Sequence, residues 1–203
     1  MIELRDFISN IPFYEHLNRL GPPWEITSEV QTFIMGILPH LGSDFHIEND
    51  VAIHKSSIVE QGVIFKHPTI IMENCHIGAH AYFREGVFLG QSVKIGPSTE
   101  IKGSLIFSNT AIAHLNYVGN SIIGSNVNFE AGSIAANHYN ERTDKEIVLN
   151  YEGEIIPTGV NKFGALVGDN SRIGANAVLS PGTILKKNSI VKRLELVEQH
   201  KIG

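Results

Sequence analysis

With 203 residues, 42% of them apolar, and a formal charge of −5, the chain has the make-up of one folded domain plus a small appendage, so disorder is not the default reading. Only 16 Lys and Arg stand against 21 Asp and Glu, which excludes a whole-protein attraction to nucleic acid or anionic membrane and leaves phosphate recognition to a few placed cations. A single cysteine, Cys75, excludes an internal disulfide framework and multi-cysteine zinc sites, and it favours a reducing compartment, so the cytoplasm is the expected location.

The start, MIELRDFISNIPFYEHL, lacks a basic region followed by an apolar core, so no signal peptide is expected. No run approaches the roughly 18 apolar residues of a membrane span. Residues 1–46 carry apolar groups at helical spacing in LRDFISNIPFYEHLNRL and EITSEVQTFIMGILPHL, separated by Gly21, Pro22 and Pro23, and predict a short helical segment. Its apolar faces are expected to cap the first coil of a solenoid or to meet a partner chain, because an open solenoid end exposes unpaired strand edges.

The solenoid is read from a repeat. From residue 47 to about residue 193 a large apolar side chain returns every six positions. The series runs Ile47, Ile53, Val59, Phe65, Ile71, Ile77, Phe83, Leu89, Ile95, Ile101, Phe107 and Ala113. A second inward slot lies four residues after each, filled by Cys75, Ala81, Val87, Val93, Thr99, Leu105 and their equivalents. The phase slips after Ala113, resumes at Ile123 and Phe129, and returns at Val167, Ile173, Leu179, Leu185 and Val191. A strict six fits neither a helix nor simple alternation. It fits a coil of three short strands, a parallel β-helix whose turn is a triangle of about 18 residues. Cys75 falls in the small slot and reads as a buried side chain rather than a nucleophile. Residues 137–165 break the repeat as a long polar excursion, of the kind kept at a functional edge or subunit contact. Residues 194–203 form a tail.

Residues one turn apart lie above one another, which lines up Lys66, Arg84 and Lys102. Three cations one rung apart repel, so they form either a solvated column or a receptor for phosphate, where the fork of Arg84 suits bidentate contact. His114 sits where the repeat slips, at HLNYVG, with Tyr117 three residues on and Asn128 in the next coil. An imidazole of ordinary pKa near ~6.5 suits general-base work, and Glu100 is a candidate to orient it. His76 and His80 have no third histidine in a convincing register, so no metal is expected.

The stretch from Arg84 to Asn137, with HLNYVGNSIIGSNVNFEAGSIAAN and the later NKFGALVGDNSRIG, resembles a known family over residues 65–192. It is the C-terminal acetyltransferase domain of the bifunctional N-acetylglucosamine-1-phosphate uridylyltransferase/glucosamine-1-phosphate acetyltransferase and of related sugar-phosphate nucleotidylyltransferases. The resemblance implies a left-handed parallel β-helix of the trimeric LpxA-like kind, with sites between neighbouring prisms of a homotrimer. It implies that Arg84 and Lys102 contact a sugar phosphate or nucleotide sugar, that His114 is the catalytic base, and that Tyr117 and Asn128 touch the sugar. It places Ala131, Asn137 and His138 along the groove for acetyl-coenzyme A, the acyl donor. The chain departs from the family at Glu130, where glycine is usual, and at His138, where tyrosine is usual. The glycine-rich, basic nucleotide-binding start is not found before Ile47, so uridylyl transfer is not expected. The activity implied is N-acetylation of an amino sugar phosphate or nucleotide-linked amino sugar. The other readings are a non-catalytic binding or trimerising scaffold module and transfer of a longer acyl chain.

Overall fold

A computed structural model describes residues 2–200. Four short helices open the chain: α1 (Leu4–Phe7), α2 (Tyr14–Asn18), α3 (Pro23–Ser28) and α4 (Val30–Ile37). The rest is mainly β, and nearly all strand pairs are parallel, each strand bonded to the one a full turn later: a parallel β-helix. The first face holds 69–71, 87–89, 104–106, 122–123, 165–167 and 183–185. The second is a seven-stranded sheet from 58–59 to 190–191. The third holds 64–65, 82–84, 100–102, 117–119, 134–135, 178–179 and 196–197. No helix is long and apolar enough to cross a membrane among the described residues.

The interior is the column of hexad residues. Ile71, Ile77, Phe83, Leu89, Ile95 and Ile101 are at most 2% exposed, and each buries its side chain on the rung below for roughly 1.5–3 kcal/mol. At the corners the chain turns through left-handed backbone. Asn74, Asn109, Asn126, Asn170 and Asn188 hold one corner column at φ 56–62°, a conformation asparagine adopts more readily than other side chains.

Two expectations about the repeat are corrected. The slip comes at Gly103, not after Ala113: Arg84 pairs with Lys102, but Val87 pairs with Ser104 and Glu100 with Tyr117, so two coils are one residue short. Gly103, at φ 54°, makes the tighter corner. Ile106 and Ile112 therefore fill the interior, while Leu105 and Phe107 face outward and are buried on another surface. At the other end, Ile47 is 45% exposed, because Phe45–Glu48 runs antiparallel to Val51–His54 as an edge strand beside the first coil.

The N-terminal helices lie along the first face instead of over the open end. Phe7, Trp24, Val30, Phe33 and Ile34 pack on Ile70, Phe88, Leu105, Ile122 and Leu166, the outward side chains of that face. Asp169 ties the end of α1 to the prism: its two oxygens accept the Ser9 N–H (2.7 Å) and the Ser125 N–H (2.8 Å). The excursion leaves the prism after Asn137 and returns at Phe163. It carries an antiparallel hairpin, Val148–Tyr151 with Glu154–Pro157, whose Leu149 joins the same apolar layer.

Cys75 is buried in its slot with Sγ 3.1 Å from the Gly90 carbonyl oxygen. Burial pushes the thiol up to about 11 from 9.0. The folded state thus holds the proton more tightly than the unfolded state. The stabilisation is complete below pH 9 and is lost as pH rises through 11, about 2–3 kcal/mol in all. The guanidinium midpoint should fall between those pH values more steeply in the wild type than in Cys75→Ala.

Candidate active site

The third face and its two corners gather most of the residues singled out by sequence. Arg84 and Lys102 project from adjacent strands in direct register. Arg84 Nε donates to Glu100 Oε1 at 2.7 Å and Nη1 to Glu85 Oε1 at 2.9 Å, while Lys102 Nζ lies 3.3 Å from Glu85 Oε2. The Lys102 side chain is 6% exposed, and this burial lowers its pKa despite Glu85, with Lys162 of the excursion adding to the effect. Lys66, the third member of the column, is exposed and makes no ion pair among the described residues.

One strand further, Tyr117 Oη donates to Asn137 Oδ1 at 3.2 Å, and Asn137 Nδ2 donates to Asn120 Oδ1 at 2.6 Å. Burial, then the Glu100 carboxylate, pushes the Tyr117 phenol up, so it stays a proton donor at neutral pH. Asn120 and Asn137 stack at the corner where the excursion departs.

His114 occupies the opposite corner of the same face. It is exposed, and its ring makes no hydrogen bond among the described residues. Glu100 serves Arg84, so the structure does not join it to His114. The corner itself is tightly held. The Gly132 N–H donates to the His114 carbonyl at 3.0 Å, and the Leu115 N–H to Pro97 at 3.2 Å. Buried Asn116 donates through Nδ2 to Glu130 O, Ser133 O and Ser133 Oγ at 2.8–3.1 Å. Ala131 stands one coil from His114 at this corner, since the Gly132 N–H meets the His114 carbonyl.

The remaining candidates are spread out. Asn128 is on the second face, exposed, and lines a groove of about 440 Å³ with Glu130, Arg172 and Arg193. Asn137 and exposed His138 lie at the far corner from Ala131. Glu130 is fully engaged: Arg193 donates to both its oxygens at 2.9 and 3.0 Å, and the Ala175 N–H donates at 2.9 Å. The Arg193 contact, then the Ala175 N–H, holds this carboxyl below its usual range. Glu85, Asn116 and Asn120 are the site residues missed by spacing alone. Asn116 had a visible signal, a polar side chain at a position that the hexad turns toward the next coil.

A prism of hexads with a histidine corner and a paired Arg–Lys face defines a hexapeptide-repeat protein. The chain matches the GMPPB C-terminal domain over residues 65–139 and the hexapeptide repeat of succinyl-transferase over residues 165–192. It is 39% identical over 171 residues to the bifunctional protein GlmU of Methanococcus vannielii, covering 81% of this chain and 40% of that protein. It is 34% identical over 170 residues to a bifunctional sugar-1-phosphate nucleotidylyltransferase/acetyltransferase of Sulfurisphaera tokodaii, covering 80% of this chain and 41% of that protein. A further GlmU, from Methanocaldococcus jannaschii, is 32% identical over 183 residues, covering 86% of this chain and 43% of that protein. The chain thus spans about two-fifths of the length of these relatives. It belongs to the family of hexapeptide-repeat β-helix domains that form the C-terminal part of these bifunctional proteins.

Proposed function

We propose that the chain is a coenzyme A-dependent acyltransferase module that N-acetylates an amino sugar phosphate or a nucleotide-linked amino sugar, with acetyl-coenzyme A as donor and no metal. The observation that carries this reading is the sharing of one sheet face by the Arg84–Lys102 pair, the Tyr117–Asn137–Asn120 chain and the His114 corner. Arg84 and Lys102 take the acceptor's anionic group, and Tyr117 and Asn137 position the sugar. His114 accepts a proton from the sugar amine as its nitrogen attacks the thioester carbonyl. The carbon–nitrogen bond forms, the carbon–sulfur bond breaks, and the proton passes to the departing thiolate. A backbone N–H at Ala131 supports the oxyanion. The working form is a homotrimer in the cytoplasm, with Asn128 of the second face brought to the site by a neighbouring prism.

A second reading, a sugar-phosphate-binding or trimerising scaffold module, draws support from the Glu130–Arg193–Ala175 arrangement. It fills the corner next to Ala131 with a satisfied ion pair. Calorimetry with acetyl-coenzyme A and with a nucleotide-linked amino sugar separates the two. Binding of both ligands is expected; sugar binding without coenzyme binding transfers the conclusion to the second reading.

A further inference from the structure

Arg84 and Lys102 do not stand free on their face. Glu85 reaches both, one oxygen on Arg84 Nη1 at 2.9 Å and the other 3.3 Å from Lys102 Nζ. Glu100 takes Arg84 Nε at 2.7 Å. Two cations on the face therefore meet two carboxylates, with Lys162 of the excursion the next positive charge toward Lys102. A phosphate that settles on these cations comes within contact distance of carboxylates that already use them.

The position of Glu85 is built by the backbone. The strand Tyr82–Leu89 slips register between Arg84 and Val87, and Glu85 and Gly86 turn through φ 57° and 87°. These two residues form the corner between the third face and the first, opposite the single residue Gly103 of the next coil, and this corner turns the Glu85 side chain toward Lys102. It is also held from outside. A Cβ on Gly86 would lie 3.0 Å from side-chain atoms of Val30 and Gln31, so α4 packs directly on the corner. Lys102 is buried beside it, 5% exposed.

We infer that Glu85 is the specificity-determining residue of this acceptor site, selecting a phosphate group that carries a single charge, as each phosphate of a nucleotide-linked amino sugar's diphosphate does, over the terminal phosphate of a sugar phosphate monoester. The inference rests on the reading of Arg84 and Lys102 as the acceptor's anion site. A monoester phosphate carries a charge near −2 at neutral pH, its second pKa being about 6. A phosphate substituted on both sides, including each of the two in a nucleotide-linked diphosphate, carries one charge. A monoanion can share the two cations with Glu85, whereas a dianion needs both and must displace a carboxylate in a partly buried site, where like charges repel more strongly than in water.

The test compares two ligands that differ by one unit of charge: an amino sugar 1-phosphate and the methyl phosphodiester of the same compound. Both are titrated calorimetrically, above the phosphate's second pKa, into the wild type, Glu85→Gln and Arg84→Gln. The wild type should prefer the diester, and Glu85→Gln, which keeps the side chain's length, should move the affinity ratio at least tenfold toward the monoester. Should Glu85→Gln fail to fold, Glu85→Asn carries the same comparison, since asparagine tolerates positive φ. A wild type that prefers the monoester overturns the inference. So does an unchanged ratio in the Glu85 variant; if Arg84→Gln weakens both ligands, the acceptor site itself still stands. Binding that Arg84→Gln leaves unaltered, or no binding of either ligand by any of the proteins, overturns the acceptor site and the inference together.

Discussion

Replacement of His114 by alanine is expected to lower acetyl transfer by about 10²–10⁴-fold, the usual contribution of a positioned general base. The loss should fall on kcat with little change in acceptor affinity, because the cations and amides that hold the acceptor lie along the face from the histidine. The fold should be untouched. The side chain is exposed and makes no hydrogen bond among the described residues, while the corner is held through its backbone carbonyl and through Asn116. Steady-state kinetics paired with sedimentation of wild type and variant check both statements. Turnover within a few-fold of wild type, at unchanged assembly mass, would remove His114 from the role.

The largest effect on stability is expected at Gly96, one coil below that histidine. A Cβ there would stand 1.3 Å from the Ala113 carbonyl oxygen and 2.4 Å from its carbon, both backbone atoms with no rotamer to turn aside. Gly96→Ala must push apart two hydrogen-bonded coils, at a cost of roughly 3 kcal/mol or more. Against a typical total of about 5–15 kcal/mol this is a large fraction. The denaturant midpoint should fall sharply, and any folded remainder should lose turnover, because the displaced strand carries His114. Gly36→Ala is the control: a Cβ at that position meets nothing within 4 Å, and alanine should favour α4 by up to about 1 kcal/mol. Equal behaviour of the two variants would refute the steric account.

The path of the helices was open to a closer reading of the same repeat. Ile70–Ile71, Phe88–Leu89, Leu105–Ile106, Ile122–Ile123, Leu166–Val167 and Ile184–Leu185 are apolar doublets in an unbroken column on one face, whereas the other faces interrupt theirs with pairs such as His76–Ile77, Lys94–Ile95 and Glu100–Ile101. Adjacent side chains of a strand point to opposite sides, so an unbroken column of doublets marks a face buried on both. One residue of each pair fills the prism and the other meets α1–α4. A search for period six alone sees the first set and mistakes members of the second, Leu105 and Phe107, for interior residues.

The candidate site divides in the same way. Arg84 and Lys102 were legible as a column because their coil is a full turn long. Beyond Gly103 the ruler shortens, so the stacking of Tyr117 on Glu100 could not be counted off. Glu85 was invisible as a partner of both cations, since a regular strand would point it away from Arg84's side of the sheet; only the left-handed corner at Glu85–Gly86 turns it back.

The hexad by itself determined that this chain is a β-helix, because a triangular coil admits inward side chains only at fixed intervals and packing enforces that interval on every rung. Which face the helices cover was decided by tertiary packing, and which charges neutralise one another by the corner at Glu85–Gly86, where the register with the next coil slips by one residue opposite Gly103. A slip changes little in composition or period but rotates every following side chain, and so its consequences exist only in three dimensions.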